Sequence, residues 1–175
     1  NPDDVNALGS KAYCLNNLGK QYEAIEIYDK LLQINPDDVN ALKSKAYCLS
    51  HLKKYSEALE IYDKLLQMNP DSTLLLKNKA YALFFTKQFL LAIQLIEKIL
   101  DNPTAVDATF CNLYAKILKT NFSNEDPTNF LTSKINSNKH NLSWFMVLIK
   151  FQILQNNLSE VIKIYENNPA LLKES

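Results

Sequence analysis

The sequence predicts an all-α fold, an α-solenoid of stacked helix-turn-helix units, and three observations carry that prediction. Residues 1–34 and residues 35–68 agree at 26 of 34 positions without a gap, so the chain is built by internal repetition. Glycine occurs only twice, at Gly9 and Gly19, leaving almost no residue for hairpin turns or a phosphate-cradling loop. Apolar residues make up 47% of the chain and recur at helical spacing. One pair of short helices has too little core to be stable alone, so neighbouring units must stack to supply the missing burial.

The repeat extends past the two near-identical copies. A third unit, Asn69 to Asp101, keeps Asn69, Pro70, Asp71, Leu76, Lys77, Lys79, Ala80, Tyr81, Leu83, Ala92 and Lys98 in register. Asn-Pro pairs stand at Asn1, Asn35, Asn69, Asn102 and Asn168, so successive prolines are 34, 34, 33 and 66 residues apart. Because 66 is twice 33, two degenerate repeats are expected between Asn102 and Asn168, divided near Asn136-Ser137-Asn138, where polar turn formers replace the proline. The expected organisation is three regular repeats (1–34, 35–68, 69–101), two degenerate helical pairs (102–168), and the start of a further repeat or a tail (169–175). The chain therefore reads as part of a longer array.

Within the first unit, Pro2 suits a first helical turn and Asp3 and Asp4 place negative charge at the positive end of the helix dipole. The first helix is predicted from Asp4 to Asn17, with Leu8, Ala12 and Leu15 as its apolar stripe. Gly19 is a helix stop. The second helix, Gln21 to Ile34, should bury Ala24, Ile27 or Tyr28, Leu31 and Leu32, with Glu26 to Lys30 paired on the wet face, as Glu60 to Lys64 would be in the next copy.

At these residues the chain resembles the tetratricopeptide repeat (TPR) family. It shares the 34-residue period, a small residue in the first helix (Ala12, Ala46, Ala80), another opening the second helix (Ala24, Ala58, Ala92), an aromatic one turn later (Tyr28, Tyr62), and the terminal proline. Alanine at the crossing points lets helix backbones approach closely, and the aromatic fills the wedge against the next pair. The match is specific over residues 1–101. Beyond it, Leu113 takes the small position, so that crossing should be wider or rotated; Tyr22, displaced one place from Tyr55 and Phe89, implies a differently built first turn.

The resemblance implies a right-handed superhelix whose concave face, lined by the first helix of each repeat, grips a peptide or a partner helix. The residues expected to project inward are Asn6, Gly9, Ser10, Tyr13 and Asn17, then Asn40, Lys43, Ser44, Tyr47 and His51, then Leu74, Lys77, Asn78, Tyr81 and Phe85. From these the candidate partner-binding set is Asn6, Tyr13, Asn17, Asn40, Lys43, Tyr47, His51, Lys77, Asn78 and Tyr81. Tyrosines offer rigid contact area at low entropy cost, and amides and hydroxyls can hydrogen-bond a peptide backbone. The tyrosine ladder, which Tyr114 would extend, could equally be packing copied along with the scaffold. The clamp with which chaperone adaptors of this family hold the acidic ends of Hsp70 and Hsp90 is not expected in full. Gly9, Tyr13, Ser44, Leu74 and Asn78 stand where its charge-assisted donors would be.

Other chemistries are excluded or lack a motif. Lys and acidic residues balance at 19 each, with no Arg, so no net field draws the chain to nucleic acid, and no apolar run is long enough to span a membrane. Three cysteines, Cys14, Cys48 and Cys111, lack the spacing of a disulfide or zinc framework, which points to a reducing, cytoplasmic setting. Cys48 and His51 could share a helix face, but no second ligand pair accompanies them; Cys14 and Cys48 read instead as small buried side chains, and no metal or cofactor is expected. No catalytic motif occurs, so the chain is read as non-enzymatic. Residues 144–154 are apolar on nearly every side, which means burial between repeats or a docking surface. The polar stretch Phe122 to Asp126 is a candidate secondary contact.

Three functions follow as expectations. The first is a protein-interaction scaffold or adaptor segment using the concave groove. The second is a structural spacer in a large assembly, docking through the convex face and the apolar C-terminal helix. The third is a regulatory array within a larger enzyme.

Overall fold

The computed structural model describes residues 4–100, 108–121, 128–137 and 142–167. Those residues form ten helices: α1 Val5–Asn17, α2 Gln21–Ile34, α3 Val39–His51, α4 Tyr55–Met68, α5 Thr73–Phe85, α6 Phe89–Leu100, α7 Ala108–Asn121, α8 Thr128–Ser137, α9 Leu142–Leu154 and α10 Leu158–Asn167. They gather into two compact units divided between Gln88 and Phe89, inside the stretch read as the third repeat. None of the described helices is long and apolar enough to cross a membrane. The polar stretch Phe122 to Asp126 and the Asn-Pro pairs at Asn1, Asn102 and Asn168 lie outside the described residues.

In the first unit, local chemistry sets the helix ends. The Asp4 carboxylate accepts from the backbone N–H groups of Asn6 (2.9 Å) and Ala7 (3.4 Å), and Asp38 does the same for Asn40 (2.9 Å) and Ala41 (3.0 Å). At the other end of α1, Gly19 adopts φ 77, and its N–H reaches the Asn16 carbonyl while the Lys20 N–H reaches Leu15. The same two bonds close α3 around Lys53 (φ 60) and α5 around Lys87 (φ 62). The first turn is thus built like the later ones, contrary to the expectation from Tyr22. The turn is made by backbone groups, and the displaced Tyr22 is simply left 64% exposed.

Helices α1 to α5 pack each on its chain neighbour. Ala12, Ala24, Ala46, Ala58 and Ala80 are all fully buried at the crossings, where a larger side chain would hold the backbones apart. Tyr28 and Tyr62 are buried beside them, and Ile25 and Leu32 bridge the two core clusters of this unit. Two ion pairs repeat at the 34-residue period, Asp29 with Lys45 and Asp63 with Lys79. Lys64 does not take the expected partner Glu60: it bonds Asp37 (2.9 Å) and the Pro36 carbonyl (2.7 Å), two acceptors in place of one. Cys14 is exposed, not buried as its copy Cys48 is. Cys48 is covered by the helix pair before it, and Cys14 sits on the first helix.

The second unit is organised around α9. Here the most extensive packing joins α7 to α9, with α8 and α10 also against α9. Leu113 is buried on α7, two residues before the fully buried Ala115. Trp144, Val147 and Phe151 are enclosed, so the apolar helix is core, and its reading as an open docking surface is corrected: α7, α8 and α10 cover it. Tyr114 is also fully buried and does not extend a surface ladder. Its hydroxyl donates to Glu97 (2.9 Å) and its ring meets Trp144 edge-on at 6.0 Å. Lys134 bridges Glu97 (3.4 Å) and the Trp144 face (5.3 Å). Gln152, buried among apolar groups, donates to Thr128 Oγ1 (3.0 Å) and accepts from Asn157 Nδ2 (3.2 Å), which makes its burial affordable.

Candidate functional site

The face of the first unit that carries α1, α3 and α5 holds three adjoining hollows. The first, of about 260 Å³, is lined by Asn6, Gly9, Ser10, Tyr13 and Asn40, with Tyr28 and Ser44 at its floor. The second, of about 390 Å³, is bounded by Tyr13, Asn16, Asn17, Lys43, Tyr47 and Asn78. The third, of about 250 Å³, is lined by Tyr47, Ser50, His51, Tyr55, Tyr81 and Phe85. Tyr13 separates the first from the second, and Tyr47, Tyr62 and Asn78 are shared by the second and third.

This arrangement follows from the period. Each first helix presents its i, i+3, i+4 and i+7 positions to the same side, so copies 34 residues apart fall in rows. Tyr13 is 60% and Tyr47 49% exposed, and Tyr81 is half-buried. Nine of the ten candidate residues line these hollows. Lys77 does not; it is half-buried outside them. His51 lies against Tyr47 at 4.3 Å, and the buried Cys48 donates its thiol to Asn16 Oδ1 at 3.3 Å. No group of three or more His, Cys, Asp or Glu side chains among the described residues could hold a metal ion.

Sequence reasoning missed the contribution of the second helices. Tyr62, assigned to wedge packing, lines two hollows, and its hydroxyl meets Ser50 Oγ at 3.1 Å. Tyr55, the first residue of α4, stacks on Phe85 at 4.6 Å with rings nearly parallel. The one sequence signal, the polar tip that such an aromatic carries beside its packing body, does not separate a rim position from a core one. Burial raises the Tyr28 and Tyr62 phenols above their ordinary value, and for Tyr62 the Ser50 hydroxyl partly offsets it. The Cys48 thiol is raised by burial too. All three groups are therefore neutral near pH 7.

Lys43 is the charged group of the central hollow, and no acid lines it. A larger hollow of about 460 Å³ lies in the second unit among α8, α9 and α10. Its charged pair, Glu160 and Lys163, is already engaged with itself at 3.2 Å.

Comparisons with known proteins agree with this fold. Two family models described as tetratricopeptide repeat match, one over residues 22–74 and the other over residues 5–38. No curated protein matches the sequence. Among solved structures, MamA from Desulfovibrio magneticus RS-1 is similar with a TM-score of 0.68 and 16% identity, covering 99% of this chain and 97% of its own. A tetratricopeptide repeat protein from Parabacteroides merdae gives 0.64 and 17%, covering 95% of this chain and 65% of that one. YrrB, described as a TPR protein with an unusual peptide-binding site, gives 0.62 and 16%, covering 99% and 93%. Residues 5–74 of this chain are tetratricopeptide repeats.

Proposed function

We propose that this chain is a non-enzymatic interaction module that holds a protein or peptide segment along the α1–α3–α5 face. The observation that supports this reading most is the continuity of the three hollows, walled by Tyr13 and Tyr47 and edged by Asn17, Asn78 and Lys43. Such a wall can meet an extended backbone with amide and hydroxyl groups while the tyrosine rings supply apolar area. The one cation of the central hollow would favour an acidic side chain at that point of the ligand. YrrB carries a peptide-binding site, and the shared fold supports peptide binding here without specifying the peptide.

We read the chain as successive helix pairs of one repeat array, and its free thiols at Cys14, Cys48 and Cys111 as suited to the cytoplasm. A role as a spacer in a larger assembly is less well supported, because Trp144 is enclosed.

The test is selection of a displayed peptide library on the chain, followed by affinity measurement with Tyr47→Ala/Lys43→Ala. Both residues are exposed, so the helical circular dichroism should not change. Binding should weaken roughly tenfold or more, as for truncation of a central aromatic anchor. Equal affinity for both proteins would remove the face from consideration.

A further inference from the structure

The two near-identical repeats differ at one buried hydroxyl. In the second copy the Tyr62 hydroxyl meets Ser50 Oγ at 3.1 Å. The first copy has Asn16 where Ser50 stands, and the Asn16 side chain is engaged instead by the Cys48 thiol at 3.3 Å. Tyr28, the copy of Tyr62, is 3% exposed, and its hydroxyl is buried without a hydrogen-bond partner. A buried polar group left unpaired is destabilising, and native structures keep few of them.

Tyr28 borders the first hollow, of about 260 Å³, beside Asn6, Ser10, Asn40 and Ser44. Gly9 opens that hollow. The same position carries Lys43 and Lys77 in the next two copies, and a Cβ placed on Gly9 would meet nothing within 4 Å. Glycine inside a helix weakens the helix, and it suits a place where another chain comes close. The hollow lies between α1 and α3 with α2 contributing Tyr28 and Leu31, so three described helices of the first unit bound it.

We propose that this hollow is a subsite for a carboxamide side chain, Asn or Gln, of a bound peptide, which rests on the α1–α3–α5 face being the peptide site. The amide oxygen accepts from the Tyr28 hydroxyl, and the amide NH2 donates to the Ser and Asn oxygens around it. Charge favours an amide over an ion. No cation lines the hollow to hold a carboxylate, and its one acid, Asp38, already accepts from the Asn40 and Ala41 N–H groups. An apolar side chain would leave the Tyr28 hydroxyl unpaired, the case in which a polar site discriminates most strongly. The central hollow, with Lys43, adjoins across Tyr13, and α1 touches α3. Helices in contact lie about 8–10 Å apart and an extended chain advances about 3.3 Å per residue, so the amide stands about three residues from the acidic side chain opposite Lys43.

The experiment is selection of a displayed library of random peptides on the 175-residue chain, then affinity measurement with the best binder carrying Gln, Glu, Lys or Leu at the amide position. Selected peptides should share Asn or Gln about three residues from Asp or Glu, and Leu in place of the amide should weaken binding roughly tenfold. Tyr28→Phe removes no internal hydrogen bond, so the thermal melt should not change, while the difference between the Gln and Leu peptides should vanish. Gly9→Lys supplies the cation of the next copy and should move the preference from Gln to Glu. Selected peptides without a shared amide overturn the proposal, as does a Gln preference that survives Tyr28→Phe. Binding that is lost with Tyr47→Ala/Lys43→Ala but shows no amide preference overturns the subsite and leaves the peptide face standing. A chain that selects no peptide overturns both.

Discussion

From Val5 to Phe85 each helix leans on the next in the chain, whereas beyond Ala108 the most extensive packing skips one helix and joins α7 to α9. The first unit is held by small residues at repeated crossings, two ion pairs at a fixed period and a common turn. The second is held by large side chains around one enclosed helix, with Trp144, Tyr114 and Phe151 at its centre. The difference teaches that one kind of building block supports two kinds of cohesion. Where copies remain alike, stability is a sum of nearest-neighbour terms. Where they have diverged, a hub of aromatic residues replaces the regular interface.

The comparison can be broken most forcefully at the hub. Trp144→Ala should cost about 3–5 kcal/mol, since it empties the centre of a packed cluster and also removes the platform under Lys134. Hydrogen exchange should report loss of protection in α7 and α9 first, with α1 to α4 much less affected. Equal loss throughout would mean that the two units do not differ in cohesion.

A crossing in the first unit should be less costly to disturb. Ala58→Leu forces α3 and α4 apart and should destabilise by about 1–3 kcal/mol, because an array can spread the strain over neighbouring interfaces. A denaturant melt followed by far-ultraviolet circular dichroism measures it. The smallest effect is a gain: Lys53→Gly relieves a left-handed backbone and should stabilise by about 0.5–1 kcal/mol. The reverse change, Gly19→Lys, should cost a similar amount, and a failure of the two to mirror each other would show that the turns differ after all.

How much was legible in advance depends on the range of the forces involved. The bounds of α1 and α2 were within reach of the sequence because capping by Asp4 and the left-handed turn at Gly19 involve residues within five of one another. The crossing alanines were legible because duplication marks them twice. Most of the candidate face could also be read, since the 34-residue period alone puts Tyr13 next to Tyr47 in space. The second-helix contributions of Tyr62 and Tyr55 could not, because a residue that is both core and rim looks like core in a periodic pattern.

The sequence by itself therefore determined the helical class, the repeat, the helix ends of the first unit and the row of polar and tyrosine side chains along its first helices. These depend on local hydrogen bonds, on side-chain size and on a period that copying preserved. Only the tertiary structure decided that Cys14 is exposed while its twin Cys48 is buried, that Tyr114 leaves the ladder for the core, and that α9 is enclosed by α7, α8 and α10. Burial is a property of what covers a face, and the covering helix is chosen by non-local packing that identical stretches of sequence do not share.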